Sequence, residues 1–332
     1  MGVSKLHHYV PQFYLRRFTN KDGKLWAWDK KTDKAFLTTP KSVGAESAFY
    51  ELYEFPKLDP LTMEKQFADL EAEVSKITEQ WLCWLDGVPQ GNQLKFARIK
   101  IPKTNREIVS LYMALQILRT ADARDTISTM EALVPKNEIS DGDRKFLQSV
   151  YLLDLAKPRR KQFRESTQFS SALALADRRF TERDRAQIHR KWLWDEELVN
   201  VVAKRIEEST WIFGRNLSSH PFFTSDNPVA FKTGDNRMWV KIGFLTAGTY
   251  AVFPLSPQIV MYCHDRRDNR WSKIAKFNNS LSPVNFSASM VELENAGQVF
   301  NAGRFVISPV NEFKFARELA KTIETDRYAP QS

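Results

Sequence analysis

The sequence predicts an α+β protein in which a small N-terminal β-hairpin, a large helical middle and a β-rich C-terminal part follow one another without alternating. Three observations carry this prediction. Residues 25–37 hold two short apolar runs around a charged turn. Between residues 59 and 208 apolar groups recur at steps of three and four. From Trp211 onward, short runs of β-favouring residues are separated by Gly, Asn-Pro and Ser-Pro turns. Strands grouped apart from helices mark an α+β chain, since a parallel α/β sheet needs strand and helix in turn. The sub-regions are 1–58, 59–208 and 209–332.

The chain opens on Leu6-His7-His8-Tyr9-Val10-Pro11-Gln12-Phe13-Tyr14-Leu15-Arg16-Arg17-Phe18. Four large apolar groups (Phe13, Tyr14, Leu15 and Phe18) predict that this stretch is buried, because ordering a terminus costs entropy that only burial offsets. Leu25–Trp28 and Ala35–Leu37, around Lys30 to Asp33, form the hairpin, which Pro40 ends. Gly44, Glu46, Phe49, Tyr50 and Tyr53 then form a loop or short helix packing aromatics against it.

Met63, Phe67, Leu70, Val74, Ile77, Trp81 and Trp84 draw one stripe down a helix from about Pro60 to Leu85, with Asp59-Pro60 as N-cap and first residue. A second helix is expected from Thr104, where Thr104-x-x-Glu107 has capping-box spacing, with Ile108, Leu111, Leu115, Leu118 and Asp122 on one side and Arg119 beside them. Ser140-x-x-Asp143 opens a further helix to Leu155, and Thr181-x-x-Asp184 opens one that runs to about Glu208. In the last third, strands are expected at residues 211–213, 221–224, 229–231, 238–242, 250–253, 259–263 and 304–307. Ser282-Pro283 is expected to cap a helix toward Phe300, and a closing helix to span Asn311 to Ile323.

Composition narrows the classes. With 42% hydrophobic and 27% charged residues the chain is globular in character. Cys83 and Cys263 lie far apart, both in apolar surroundings that suggest burial, so neither a disulfide framework nor a zinc finger is expected and a reducing cytoplasm is the simplest compartment. No stretch approaches the ~18 apolar residues that a membrane helix needs, and no apolar leader core is present. The formal net charge is +9, and residues 157–191 concentrate it, with eleven Lys and Arg against four Asp and Glu. A clustered excess attracts polyanions. Arg159, Arg160, Lys161, Arg164, Arg178 and Arg179, interleaved with phenylalanines, are therefore candidates to grip a nucleic-acid backbone, the alternative being a solvated, solubilising helix face.

No P-loop, GxGxxG, HExxH or GxSxG motif is present. Three groupings remain. Adjacent His7 and His8 point different ways, so one at most serves a given site; His8 is the candidate ligand or acid–base group, and a hydrogen-bonded structural histidine is the alternative. Thr224-Ser225-Asp226-Asn227-Pro228 ends a strand on a polar turn, where Asp226 can bind a metal, orient a histidine or accept from an arginine, although turns need these same residue types. Glu64 and Glu71 share one side of the first long helix, with Arg119 flanking the second, and the alternative for all three is a solvated helix face.

The run from His7 to Phe18, Glu46-x-x-Phe49-Tyr50, the helix carrying Glu64 and Glu71, Arg119-Thr120, Phe223 to Val229 and Phe253-Pro254-Leu255-Ser256-Pro257 together resemble a mostly bacterial family known as domain of unknown function 4238. The resemblance spans about His7 to Ile307. It implies one domain and a bacterial or phage-related source, and it brings no activity.

If His8, Glu71, Arg119 and Asp226 converge, a histidine and two carboxylates suit a divalent metal (Mg²⁺ or Mn²⁺, ligated by His8, Glu71 and Asp226) that activates water, and the arginine suits a phosphate oxygen. The leading expectation is thus a metal-dependent phosphodiester hydrolase acting on DNA or RNA, in a host-defence or toxin-like setting. One alternative is a non-catalytic basic module that binds nucleic acid or protein. Another is an enzyme on a small phosphorylated ligand, which calls for a deep pocket lined by Trp and Arg.

Overall fold

The expected order of β, helical and β-rich parts is present. The computed structural model describes residues 6–47, 49–50, 62–86, 99–132, 134, 139–153, 178–233, 239–241 and 243–325. Strand β1 (Leu6–His8) pairs antiparallel with β4 (Ala45–Ser47). Between them, β2 (Leu25–Asp29) and β3 (Lys34–Thr38) form the hairpin, Leu25 opposite Thr38 and Asp29 opposite Lys34. The hairpin does not stand alone. Strand β12 (Phe305–Ser308) lies against β2 and carries β6 (Thr224–Ser225) on its other side, giving a four-stranded sheet in the order β3-β2-β12-β6.

A second sheet has six strands in the order β11-β5-β10-β9-β7-β8, namely Val284–Phe286, Thr210–Asn216, Ile259–His264, Tyr250–Pro254, Ala230–Lys232 and Trp239–Val240. Successive side chains on a strand point to opposite faces. Trp211, Phe213, Ala251, Phe253, Met261 and Cys263 accordingly enter the main core, while Ile212, Tyr250, Val252, Val260 and Tyr262 form a separate cluster on the other face. Both faces are covered, which is why β5, β9 and β10 are buried along their whole length.

Helix α1 (Gln12–Leu15) is a single turn, and α2 (Thr62–Asp86) is the long amphipathic helix that the stripe predicts. The stripe's last member is corrected: after Trp81 the buried face takes the next step of four, to Leu85, and leaves Trp84 51% exposed. Cys83, expected to be buried, is exposed for the same reason, while Cys263 is buried as expected. The Asp59-Pro60 start lies outside the described residues.

Helix α3 (Lys103–Leu118) begins without a side-chain cap. Glu107 pairs with Lys103 at 3.4 Å instead of reaching back to Thr104. The helix buries Val109, Tyr112, Met113, Gln116 and Ile117 but leaves Leu111 at the surface, because it is packed between α2 and a later helix rather than against one partner. It stops at Leu118, and α4 (Ala121–Ala132) begins afresh, with Ala123 N–H donating to Thr120 Oγ1 at 3.1 Å. Asp122 therefore belongs to α4.

Helix α5 (Asp141–Leu153) has the predicted cap, Asp143 N–H donating to Ser140 Oγ and Ser140 N–H to Asp143 Oδ2, each at 3.1 Å. Thr181 and Asp184 close a full capping box on α6 (Glu182–Leu193). The single helix expected through Glu208 is two. Asp195 caps α7 (Glu196–Glu208), its Oδ1 accepting from Leu198 N–H at 3.0 Å.

After β10 comes a 3₁₀ stretch, Asn269–Phe277, and Ser282-Pro283 leads into β11 rather than into a helix. Helix α8 (Ala288–Asn301) starts at Ser287 and packs on the second face of the six-stranded sheet. Helix α9 (Lys314–Thr325) closes the described chain and packs on α8, with Phe313, Ala316 and Ala320 meeting Trp28, Phe223 and Val306. Among the described residues, no helix is long and apolar enough to cross a membrane.

Candidate functional site

Strand β1 separates the two histidines. Its pleat sends His7 inward, 2% exposed, where Nδ1 accepts the Tyr50 N–H at 2.9 Å and the ring stacks on Tyr50. His7 thereby ties the first strand to the aromatic loop. The turn after β1 is held by Gly44, whose carbonyl accepts from both Tyr9 N–H and Val10 N–H at 3.0 Å. Gly44 has φ +68°, and a Cβ there would stand 2.9 Å from Val10 Cβ, so only glycine fits.

His8 faces the other way, half-buried, onto a cavity of about 530 Å³ open to solvent. One wall is a stripe of α2, on which Glu64, Phe67, Glu71 and Ser75 follow one another at steps of three and four; Gln12 and Phe13 from α1 complete it, and Lys76 stands at the rim. His8 Nε2 lies 3.1 Å from the Lys41 carbonyl oxygen. A carbonyl only accepts, so Nε2 carries the hydrogen and neutral His8 keeps a bare lone pair on Nδ1. Burial lowers the His8 pKa, opposed by the Lys41 hydrogen bond and by the charges of Glu64 and Glu71, and the net shift is downward. His8 is therefore a free base at neutral pH.

Glu71 is fixed from behind. Arg119, 1% exposed, donates from Nη1 to Glu71 Oε1 at 2.7 Å and from Nε and Nη2 to Gln116 Oε1 at 3.0 and 2.7 Å. Its guanidinium lies against the rings of Phe67 and Tyr112, 5.2 and 5.6 Å from their centroids. Burial alone would lower its pKa; Glu71, Tyr50 and Tyr112 reverse that and raise it. Arg119 occupies the junction of α3 and α4, where Tyr50 Oη donates to its carbonyl at 3.3 Å. It positions Glu71 and offers no free edge to a phosphate. Gln116 and Lys41, which fix Arg119 and His8, carry no sequence signal, since one acts as a lone amide in a helix and the other through its backbone.

Asp226 sits elsewhere in the fold's polar network. Its Oδ1 accepts from Gly303 N–H at 2.9 Å, and its Oδ2 from Arg304 N–H and Phe305 N–H at 2.7 and 3.0 Å. Burial pushes its carboxyl up to about 6, against the pull of the Phe305 and Arg304 amides, with Asp122 adding to the rise. The carboxyl thus anchors the entry to β12, and it does not line the His8 cavity. Its neighbour Asn227 joins the same network, donating to Asp122 Oδ2 at 3.2 Å. Of the four residues singled out, His8, Glu71 and Arg119 are brought together and Asp226 is not; Glu64 takes the second carboxylate's place.

Among the described residues, no group of three or more His, Cys, Asp and Glu side chains is arranged to hold a metal ion. Of the basic candidates, Arg159, Arg160, Lys161 and Arg164 lie outside the described residues. Arg178 is exposed, whereas Arg179 is engaged internally, donating to the carbonyls of Ala132, at 3.0 Å, and Val134.

The sequence runs of the resemblance form one contact network. Tyr14 Oη donates to the Pro254 carbonyl at 2.7 Å and meets Thr224 Oγ1 at 2.6 Å, so the first run, the TSDNPV run and the FPLSP run join at one hydroxyl. A family model described as protein of unknown function (DUF4238) matches residues 6–310. The chain belongs to this family. Neither the comparison with curated proteins nor that with solved structures gives a match.

Proposed function

We propose that this DUF4238 protein is a divalent-metal-dependent phosphodiester hydrolase acting on DNA or RNA, with the cavity between β1 and α2 as its active site. The observation that carries the reading is that a neutral histidine with a bare Nδ1 and two carboxylates line one solvent-open cavity, one carboxylate being locked by a buried arginine. Mg²⁺ and Mn²⁺ sites of phosphoryl chemistry use one or two carboxylates plus the substrate's own phosphate, not a preformed cage. Glu64 and Glu71, on one helix face seven residues apart, fit that donor set. A cation held there supplies the positive charge that a phosphate needs in an otherwise acidic cavity.

The chain's own groups do the rest. His8 Nδ1 takes a proton from water as its oxygen bonds to phosphorus, the P–O bond to the leaving alcohol breaks, and the departing oxygen takes a proton from solvent. The Lys41 carbonyl stabilises the resulting imidazolium through Nε2–H. Arg119 keeps Glu71 aimed. The small-ligand alternative fits less well, as among the described residues neither Trp nor Arg lines this cavity.

The test is incubation of purified protein with labelled DNA and RNA and Mg²⁺ or Mn²⁺, comparing wild type with His8→Ala and Glu71→Gln. Cleavage by wild type and a loss of about 10²-fold or more in His8→Ala, with an unchanged melting temperature, is expected. Salt-sensitive binding without cleavage of either polymer would replace this reading with that of a non-catalytic binding module.

A further inference from the structure

His8 and Glu71 line one cavity from two elements that do not hold each other directly: among the described residues no hydrogen bond joins β1 to α2. Their separation is therefore set from behind. Gln116, on the buried side of α3 and 0% exposed, is where the two walls are tied together. Its Nε2 donates at 3.0 Å to the carbonyl of Tyr9, the residue after His8, and its Oε1 accepts from Arg119 Nε and Nη2 at 3.0 and 2.7 Å. Arg119 Nη1 in turn donates to Glu71 Oε1 at 2.7 Å. A continuous chain of hydrogen bonds thus runs from the end of β1, through Gln116 and Arg119, to the carboxylate on α2.

Chemistry leaves the amide one orientation. A carbonyl only accepts and a guanidinium only donates, so Tyr9 meets the amide N–H and Arg119 meets the amide oxygen. A carboxylate in this place would serve Arg119 and fail Tyr9; an apolar group would fail both. Without Gln116, two nitrogens of a buried guanidinium lose their acceptor, which is costly for a charged donor in a dry interior. The guanidinium then turns toward other acceptors, and Glu71 turns with it.

A second route runs beside the first. Tyr50 N–H donates to His7 Nδ1, and Tyr50 Oη donates to the Arg119 carbonyl at 3.3 Å. This route reaches the backbone of Arg119 and not its guanidinium, so it ties β1 to the end of α3 without aiming Glu71. We infer that Gln116 is a positioning residue of the cavity, setting the distance between the His8 base and the Glu71 carboxylate although it does not itself line the cavity. The inference rests on the hydrolase reading above and names a further residue on which that chemistry depends. A displacement of about 1 Å in such a site can cost about 10²-fold in rate.

Two measurements on the full-length protein test it: Mn²⁺ binding by titration calorimetry, and cleavage kinetics on whichever labelled polymer the wild type cuts. Gln116→Met keeps the length of the side chain and deletes its bonds to Tyr9 and Arg119. It is expected to weaken Mn²⁺ binding about tenfold and to lower kcat about 10²-fold, with KM little changed. Because the effect runs through Glu71, adding Gln116→Met to Glu71→Gln is expected to cost nothing further in either measurement, whereas a general loss of packing would add in full. Gln116→Glu keeps an acceptor for Arg119 and is expected to recover most of the Mn²⁺ affinity, with kcat still reduced because the Tyr9 carbonyl has lost its donor. Wild-type kcat in folded Gln116→Met, or additive losses in the double variant, would overturn the inference and leave the hydrolase reading standing. Failure of both Gln116 variants to fold would also overturn it, by making Gln116 a residue of the fold and not of the site. A wild type that neither binds Mn²⁺ nor cuts either polymer overturns the reading and the inference together.

Discussion

His8 can act as a base only through Nδ1, because its Nε2 hydrogen is committed to the Lys41 carbonyl. That commitment sets the direction of its pH dependence. Burial favours the neutral ring and lowers the pKa below the usual 6.5, while Glu64 and Glu71 favour the imidazolium and hold the fall in check. A base must be unprotonated to work, so activity is expected to rise with pH through a midpoint below 6.5 and then level off. Removing a carboxylate charge removes support for the imidazolium. In Glu64→Gln the His8 midpoint, followed by NMR titration of its ring proton, is therefore expected to fall further below the wild-type value. A midpoint above 6.5, or an upward move in Glu64→Gln, would contradict this account of the cavity. Asp226 illustrates the opposite case. Three backbone amides occupy its two oxygens, and burial raises its carboxyl to about 6, so its chemistry is spent inside the fold.

At the scale of elements, side-chain caps decide where the helical middle is cut. Asp195 ends the run that Thr181 starts: its Oδ1 accepts the Leu198 N–H and its Oδ2 accepts from Gln148 Nε2 at 2.9 Å, which ties α7 to α5. Asp195→Ala removes both bonds and is expected to cost about 1–2 kcal/mol in denaturant unfolding, with Asp195→Ser recovering the capping share. The same comparison shows what sequence can and cannot say. The boxes at Ser140 and Thr181 are legible because each hydroxyl residue stands just before the first helical residue, with Asp143 and Asp184 three positions on. At Thr104 the box fails because the helix already starts at Lys103, with Pro102 in the capping position, so Thr104 lies inside the first turn and Glu107 pairs with Lys103. Trp84 is misplaced by a single residue of helical drift, and the buried positions of α3 exceed any one stripe because two helices cover it. Glu64 and Glu71 are legible as a pair from their spacing. Their meeting with His8 is not, since it depends on contact between residues some 60 positions apart.

Across the whole molecule, that dependence on distant contacts is the rule. The hairpin β2–β3 is completed by β12, almost the length of the chain away, and β12 in turn holds β6, which leads to Asp226. The main core draws on Tyr14 and Phe18 from the first run, Trp81 from α2, Trp192 from α6 and Phe213 and Phe253 from the six-stranded sheet. An architecture cross-tied in this way is expected to unfold as one cooperative unit, with no separate melting of the β-rich end. Tyr14 is the place to test it. Its hydroxyl, in a side chain 1% exposed, is the one atom through which the opening run reaches both Thr224 and Pro254. Tyr14→Phe keeps the ring stacked on Phe253 and deletes only those two bonds. It is expected to lower stability by about 1–3 kcal/mol, because Thr224 Oγ1 and the Pro254 carbonyl are left unpaired in a dry interior. The denaturant slope should stay the same, so that tryptophan fluorescence and far-UV circular dichroism report a single, coincident transition moved to lower denaturant. Two separated transitions in the variant, or a β-rich end that survives after the opening run has detached, would mean that the family's sequence runs join independently stable parts.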